Sequence, residues 1–211
     1  VIVAHDYKLL FFCNPRCASS SIGRTLQDEL GAERWFMPRW PRQADQHTSP
    51  AEFKKMPQYA QCRDYTWFTT VRHPMARLVS LYWFLKRMQA SRVRRKSFEQ
   101  WVRGLQPHAY GRLPNAHWTS ASAGAGYGRT IVSFVVPFED MQRGFDEVMA
   151  HVGAAQVPIQ EDNYNTAHPP FRQVYTPELW NTVRPWFHAD RRFGYDLSWQ
   201  NPDKEHDNAQ A

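Results

Sequence analysis

The sequence predicts an α/β domain of three layers, a central parallel sheet flanked by helices, and three observations carry that prediction. Two runs of strand composition, an apolar one at residues 9–12 and a β-branched and aromatic one at 65–71, are each followed by a break and then by apolar residues at helical spacing. A third strand-like run, at 130–136, also leads into a helical segment. Finally, 211 residues with 15 prolines and 15% aromatics suit one packed domain with long ordered loops, placed at residues 1–200, with a polar, frayed tail at 201–211.

In chain order, Leu9, Leu10, Phe11 and Phe12 read as the first buried strand. Residues 14–21, Asn-Pro-Arg-Cys-Ala-Ser-Ser-Ser, break it with small and hydroxyl residues around one cation, Arg16. Ile22, Leu26 and Leu30 then recur every four residues, up to a helix stop at Gly31. A strand, a loop and a helix whose N-terminus faces the loop make an anion cradle. Free amides point outward, the helix dipole is positive there, and hydroxyls add donors. An ordinary strand-turn-helix with a serine cap gives the same local pattern, so the loop alone does not name a ligand.

Residues 35–57 read as irregular connection, interrupted by a short helix that Ser49 caps, Pro50 opens and Glu52 supports. His47 stands just before it, on a loop of the kind that carries function. The second strand, 65–71, runs into Arg72-His73-Pro74, and Leu78, Leu81, Tyr82, Leu85 and Met88 follow at helical spacing. Arg72 then marks the strand's exit, with Ser80 about two turns into the helix. Open α/β sheets bind ligands at the carboxyl ends of parallel strands, where both loops fall.

Residues 87–96 carry Arg87, Arg92, Arg94, Arg95 and Lys96, which suit a solvated helix end or a docking patch for a polyanion. Ser97-Phe98-Glu99-Gln100 is a capping box that opens another short helix. Residues 107–129 read as loop around His117-Trp118, and Pro137 is expected to stop the third strand. Phe138-Glu139-Asp140 leads into a helix ending near Gly153; 158–173 reads as irregular and 177–187 as helical, before Phe193-Gly194-Tyr195.

A formal charge of +6 favours anionic ligands without separating nucleotides from acidic glycans. The basic residues are scattered, with no aromatic-interleaved RNA motif, which argues against a nucleic-acid partner. No run approaches the roughly 18 apolar residues of a membrane span, and no signal peptide is read. Cys13, Cys17 and Cys62 include no Cys-x-x-Cys pair and read as reduced thiols, with neither disulfide framework nor metal site. With no Asn-x-Ser/Thr sequon, they point to the cytoplasm; a Golgi-lumen location would need a membrane anchor upstream of Val1. Oligomeric state is not encoded in any of these features.

A loop for a metal-bound triphosphate uses Gly-x-x-x-x-Gly-Lys-Ser/Thr. Here the loop has no glycine before Gly23, Arg16 replaces the lysine, and the second strand ends in Val71-Arg72 rather than a metal-holding aspartate. The expected fold is therefore P-loop-like, but its cradle suits a single 5′-phosphate without metal. Arg72 and Ser80 offer a second anion site, and a nucleotide with phosphates at both ends of a ribose fits two such sites.

Residues 7–22 resemble the 5′-phosphosulfate-binding loop of sulfotransferases that use 3′-phosphoadenosine 5′-phosphosulfate (PAPS), in the carbohydrate, family 2-like branch. Residues 68–82 are similar to that branch's 3′-phosphate-binding segment, with Arg72 and Ser80 eight residues apart as in the family pattern. The resemblance continues through His47-Thr48-Ser49-Pro50, Ser97-Phe98-Glu99-Gln100-Trp101, Phe138-Glu139-Asp140-Met141 and the closing stretch from Asp190 to Tyr195. Two departures stand out: Arg16 where lysine is commoner, and no paired cysteines near Ser133.

The resemblance implies metal-free transfer of a sulfuryl group from PAPS to an acceptor hydroxyl, on a carbohydrate or a related small molecule. It assigns PAPS binding to Pro15, Arg16, Cys17, Ala18, Ser19, Ser20, Ser21, Arg72 and Ser80. Arg16 would also stabilise the leaving oxygen, and His47 is the first candidate for general base, a role that suits a neutral histidine with a reference pKa of about 6.5. His117, in a His-Trp pair found in some relatives, is the second candidate or an acceptor contact. His73 reads as structural, and Arg77 as a phosphate contact or a helix salt bridge. Two other readings stay open: a P-loop phosphotransferase using ATP with magnesium, and a non-catalytic polyanion-binding module with salt-dependent affinity.

Overall fold

The apolar runs fold as a mixed sheet whose parallel centre is the one expected. The computed structural model describes residues 1–200 apart from 36, 40–42, 46, 108, 123–126 and 161–168, with backbone only at 37–39 and 43–45. The expected frayed tail at 201–211 lies outside the described residues. In chain order the elements are β1 (Ile2–Ala4), β2 (Leu9–Phe12), α1 (Ser19–Leu30), β3 (Glu33–Arg34), β4 (Met37–Arg39), β5 (Gln43–Asp45), α2 (Pro50–Phe53), α3 (Tyr59–Cys62) and β6 (Thr66–Val71). Then follow α4 (Pro74–Arg87), α5 (Phe98–Arg103), β7 (Phe134–Pro137), α6 (Met141–His151), α7 (Phe171–Val174) and α8 (Pro177–Val183), with 3-10 turns at Asn115–Trp118, Phe138–Asp140 and Arg184–Phe193. They divide between two compact units, Val1–Arg72 with Asn115–Tyr164, and His73–Pro114 with Asn165–Ala211.

In the first unit the sheet order is β3-β1-β2-β6-β7. β2, β6 and β7 are parallel, in a register that sets Phe11 beside Phe68 and Thr70 beside Val136. β1 joins antiparallel to β2, and β3 antiparallel to β1. The sequence reading missed both, because three residues and two residues are too short to show a period. Residues 35–57 are also more ordered than expected, since β4 and β5 pair as an antiparallel ribbon.

Alternation sends successive side chains to opposite faces of the sheet, and both faces are covered. Ile2, Ala4, Leu9, Phe11, Phe68 and Val136 meet Ile22 and Leu26 of α1 and Phe145, Val148 and Met149 of α6. Val1, Val3, Leu10, Phe12 and Trp67 meet Phe53 of α2, Cys62 of α3 and Val132. This is the three-layer arrangement, and each large apolar side chain buried in it contributes about 1.5–3 kcal/mol. Gly23 lets α1 lie close, because a Cβ there would come within 2.5 Å of Ile2 Cδ1.

The third strand starts later than expected, at Phe134 instead of Thr130, and it includes Pro137. Thr130 is diverted into an isolated antiparallel bridge with Ser120, while the Ser133 amide donates to the Trp67 carbonyl at 2.6 Å. Pro137 is tolerated as the last residue of an edge strand, where its missing N–H costs no inner ladder bond.

The second unit is helical. α4, α5, α8 and the flanking turns bury Met75, Leu78, Val79, Tyr82, Trp101, Tyr175, Trp180 and Phe187 together. The capping boxes of α2 and α5 form as read, Ser49 with Glu52 and Ser97 with Gln100. The helix expected over 177–187 ends at Val183; Pro185 supplies no N–H, and the chain tightens into a 3-10 run closed by Gly194 at φ 81°. Met88, read as part of the apolar face of α4, follows the helix end and is 62% exposed. Among the described residues no helix is long and apolar enough to cross a membrane.

Candidate functional site

Between β2 and α1 the chain turns without glycine. Arg16 (φ 64°) and Ala18 (φ 60°) both take the left-handed conformation, which costs an L-residue about 1–2 kcal/mol. Neighbouring bonds hold them there. The Cys17 amide donates to the Asn14 carbonyl at 3.3 Å, and the Thr70 hydroxyl from β6 donates to the Cys17 carbonyl at 2.5 Å. Ser19 Oγ donates to the Asn14 carbonyl at 2.6 Å, closing the loop on itself.

Ala18 occupies the N-cap position of α1 and has no side-chain acceptor for the first-turn amides. With Arg16 beside it, this helix end is electropositive, and its chemistry fits an anion. Burial alternates along the loop: Arg16, Ala18 and Ser20 are half-buried, whereas Pro15, Cys17, Ser19 and Ser21 are buried. Of the residues expected to bind an anion here, Arg16 and Ser20 therefore offer polar side chains outward. The buried ones shape the backbone.

Two asparagines that the sequence reading did not single out tie this loop to the exit of β6. Asn14 Nδ2 donates to the Thr70 carbonyl and to Asn115 Oδ1, both at 2.9 Å. Asn115 Nδ2 donates to the Arg72 carbonyl at 2.8 Å, and its Oδ1 also accepts from the Arg72 amide at 3.4 Å. Cys17 Sγ points to the same Oδ1 at 3.8 Å. Both asparagine side chains are fully buried. Arg72 then projects over the Phe138 ring, 4.1 Å from its centroid, and Nη1 donates to the Arg16 carbonyl at 3.3 Å. The only signals in the sequence were Asn14 before Pro15 and Asn115 two places before His117, and neither is distinctive alone.

His47 reaches this loop from the long connection after α1. Its Nδ1 lies 2.7 Å from the Cys13 carbonyl. A carbonyl only accepts, so Nδ1 carries a proton, and in the neutral ring the lone pair then sits on Nε2. Trp118 Nε1 donates to the His47 carbonyl at 3.3 Å and anchors the backbone beneath the ring. His117 is buried in the same 3-10 turn as Trp118, packed edge-on to it at 4.8 Å and to Tyr127 at 6.3 Å.

The first unit thus gathers the 14–21 loop, His47, Arg72 and His117. Ser80 belongs to the second unit, where it is buried in α4. His73 is in that unit too, with Nε2 3.0 Å from the Asp196 carbonyl and its ring 4.7 Å from that of Phe171. Arg77 is buried there, donates to the Leu113 carbonyl and lies 5.8 Å from the Phe187 ring. Burial also pushes the Tyr175 hydroxyl well above its ordinary pKa; it donates to the Met75 carbonyl at 3.2 Å. Cys13, Cys17 and Cys62 stand as buried thiols, and burial raises the pKa of Cys62.

Residues 1–195 match the family model described as "Sulfotransferase family". Among solved structures, the chain is similar to a sulfotransferase from Alicyclobacillus acidocaldarius, with 17% identity and a TM-score of 0.47 over 87% of this chain and 92% of that one. None of the curated proteins compared matches the sequence.

Proposed function

Because the chain belongs to the sulfotransferase family, we propose that it moves a sulfuryl group from PAPS to an acceptor hydroxyl on a carbohydrate or a related small molecule. The observation that carries the proposal is the bond from His47 Nδ1 to the Cys13 carbonyl, at 2.7 Å, which leaves the Nε2 lone pair as the basic site beside an electropositive loop. In this reading His47 Nε2 accepts the proton of the acceptor hydroxyl as its oxygen bonds to sulfur. Arg16, Ser20 and the first-turn amides of α1 take up the negative charge that grows on the departing 5′-phosphate oxygen. Arg72 pairs with the 3′-phosphate, and Ser80 enters from its place in the sequence motif. His117 is the second candidate for proton transfer or an acceptor contact. The buried thiols support a reducing compartment, the cytoplasm.

Arg72 stands where a phosphotransferase of the P-loop class would place a metal-holding aspartate, which favours sulfuryl transfer over use of ATP with magnesium. A thermal-shift panel of 3′-phosphoadenosine 5′-phosphate (PAP), ADP and ATP with magnesium separates the two. Selective stabilisation by PAP supports the proposal, and selective stabilisation by ATP with magnesium overturns it. His47→Ala should bind PAP as wild type does, yet lose about 10²–10⁴-fold in PAP formation from PAPS with a panel of sugars and simple alcohols. Wild-type turnover by that variant would remove His47 as the base.

A further inference from the structure

We infer that the 3-10 turn Asn115–Trp118 is the positioning element of this site, with Asn115 setting the anion loop and Arg72, and Trp118 setting His47. The inference rests on the proposed function for the identity of its ligand. Its geometry is independent of that reading.

β6 and β7 run in register as far as Val71 and Pro137, and the ladder ends there. The residue after β6, Arg72, carries the half-buried cation, and a backbone at the end of a ladder is free to splay. Asn115 takes over: Nδ2 donates to the Arg72 carbonyl at 2.8 Å, and Oδ1 accepts the Arg72 amide at 3.4 Å. One primary amide thus does the work of one further strand residue, which needs a donor and an acceptor together. A carboxylate lacks the donor, and an alanine lacks both.

The same Oδ1 accepts Asn14 Nδ2 at 2.9 Å, so the strand exit and the start of the loop share one atom. Asn115 is completely buried, and its bonds join residues 43 and 101 places apart in sequence. Three residues further on, Trp118 Nε1 donates to the His47 carbonyl at 3.3 Å. A single turn therefore spans the two halves of the site, the anion half at one end and the base at the other. Neither Asn115 nor Trp118 is asked to touch the reacting atoms.

The two ends should fail differently. Asn115→Ala should weaken PAP binding by about tenfold or more, since the loop and Arg72 lose a shared anchor. Trp118→Phe keeps an aromatic side chain but removes the N–H together with the five-membered part of the buried indole; it should bind PAP as wild type does while kcat falls and KM for PAPS holds. Combined with Arg72→Ala, Asn115→Ala should add less loss than it causes alone, because the part of its effect that runs through that cation is already gone and only the loop's part is left. Hydrogen exchange at amides 14–20 of the unliganded Asn115→Ala protein should accelerate selectively.

Unchanged PAP affinity in Asn115→Ala, or losses that simply multiply with those of Arg72→Ala, would overturn the inference. If Asn115→Ala does not fold, Asn14→Ser removes the bonds of Asn14 Nδ2 to Asn115 Oδ1 and to the Thr70 carbonyl, leaves Asn115 on Arg72, and must still give a selective loss of PAP affinity. A wild-type protein that ignores PAP, alongside accelerated exchange confined to 14–20 in the variant, would sink the donor assignment and leave the positioning role standing.

Discussion

Two exits from the parallel centre of one mixed sheet present the proposed anion sites in different ways. At the exit of β2 the backbone does most of the work. Arg16 and Ala18 hold left-handed conformations, Ser19 is tied to Asn14, and α1 begins at an alanine whose side chain caps no first-turn amide. At the exit of β6 there is no such loop, because α4 starts at Pro74. There a side chain does the work: Arg72 is held through its backbone by Asn115 and through its guanidinium by Phe138 and the Arg16 carbonyl. A backbone cradle tolerates side-chain loss and resists changes of conformation. A single held cation has the opposite sensitivities.

The largest effect expected from this contrast is on Arg72. Arg72→Ala should cost about 1.5–3 kcal/mol of PAP binding, tenfold to over a hundredfold in Kd by titration. Ser20→Ala, at the other exit, should cost only about 0.5–1.5 kcal/mol, because one neutral donor among several amides is lost. Equal losses would erase the distinction between the exits.

Backbone changes should reverse the order. Ala18→Gly removes about 1–2 kcal/mol of left-handed strain at φ 60° and adds about 0.5–1 kcal/mol of chain entropy to be lost on folding, so stability should rise by about 0.5–1 kcal/mol. Ala18→Val should instead destabilise, since a β-branched residue resists that conformation most. Urea denaturation at constant m-value reads both. A less stable glycine variant would show that the loop is not strained.

The smallest effect serves as a reference outside both exits. Asp196, in the second unit, accepts the Ser198 hydroxyl at 2.7 Å and the Ser198 amide at 2.8 Å, and these bonds hold its pKa below the ordinary carboxylate value. A depressed folded pKa stabilises the protein above the unfolded value of about 3.9, and that stability is lost as pH falls through the folded pKa. Asp196→Asn should therefore melt slightly below wild type near pH 7, with the two converging under acid conditions. A gap that widens as pH falls would contradict the assignment.

Much of the frame was legible because it is local. Leu9–Phe12 is a continuous apolar segment and the 65–71 run is β-branched and aromatic, as buried strands are, and Ile22 and Leu26 show the stripe that packs on the sheet. The serine caps of α2 and α5 needed only four residues each. Boundaries were less legible where a tertiary partner competes, as when Ser120 draws Thr130 away from the third strand. Within the loop, the sequence shows three consecutive serines but not which of them turn inward, since burial of Ser19 and Ser21 depends on the helix already being docked.

The sequence by itself determined the strand-loop-helix units, the cation at each exit and the absence of a glycine-wrapped triphosphate loop. Those are matters of composition and short period, which a chain carries with it before it folds. The tertiary structure alone decided that Asn14, Asn115 and Arg72 share one buried amide network, and that His47 stands on the Cys13 carbonyl. These bonds join residues 34 to 101 places apart. No local propensity encodes such a pair. It exists only once the parallel register of β2, β6 and β7 brings distant loops to the same edge, where a buried polar group must find a partner.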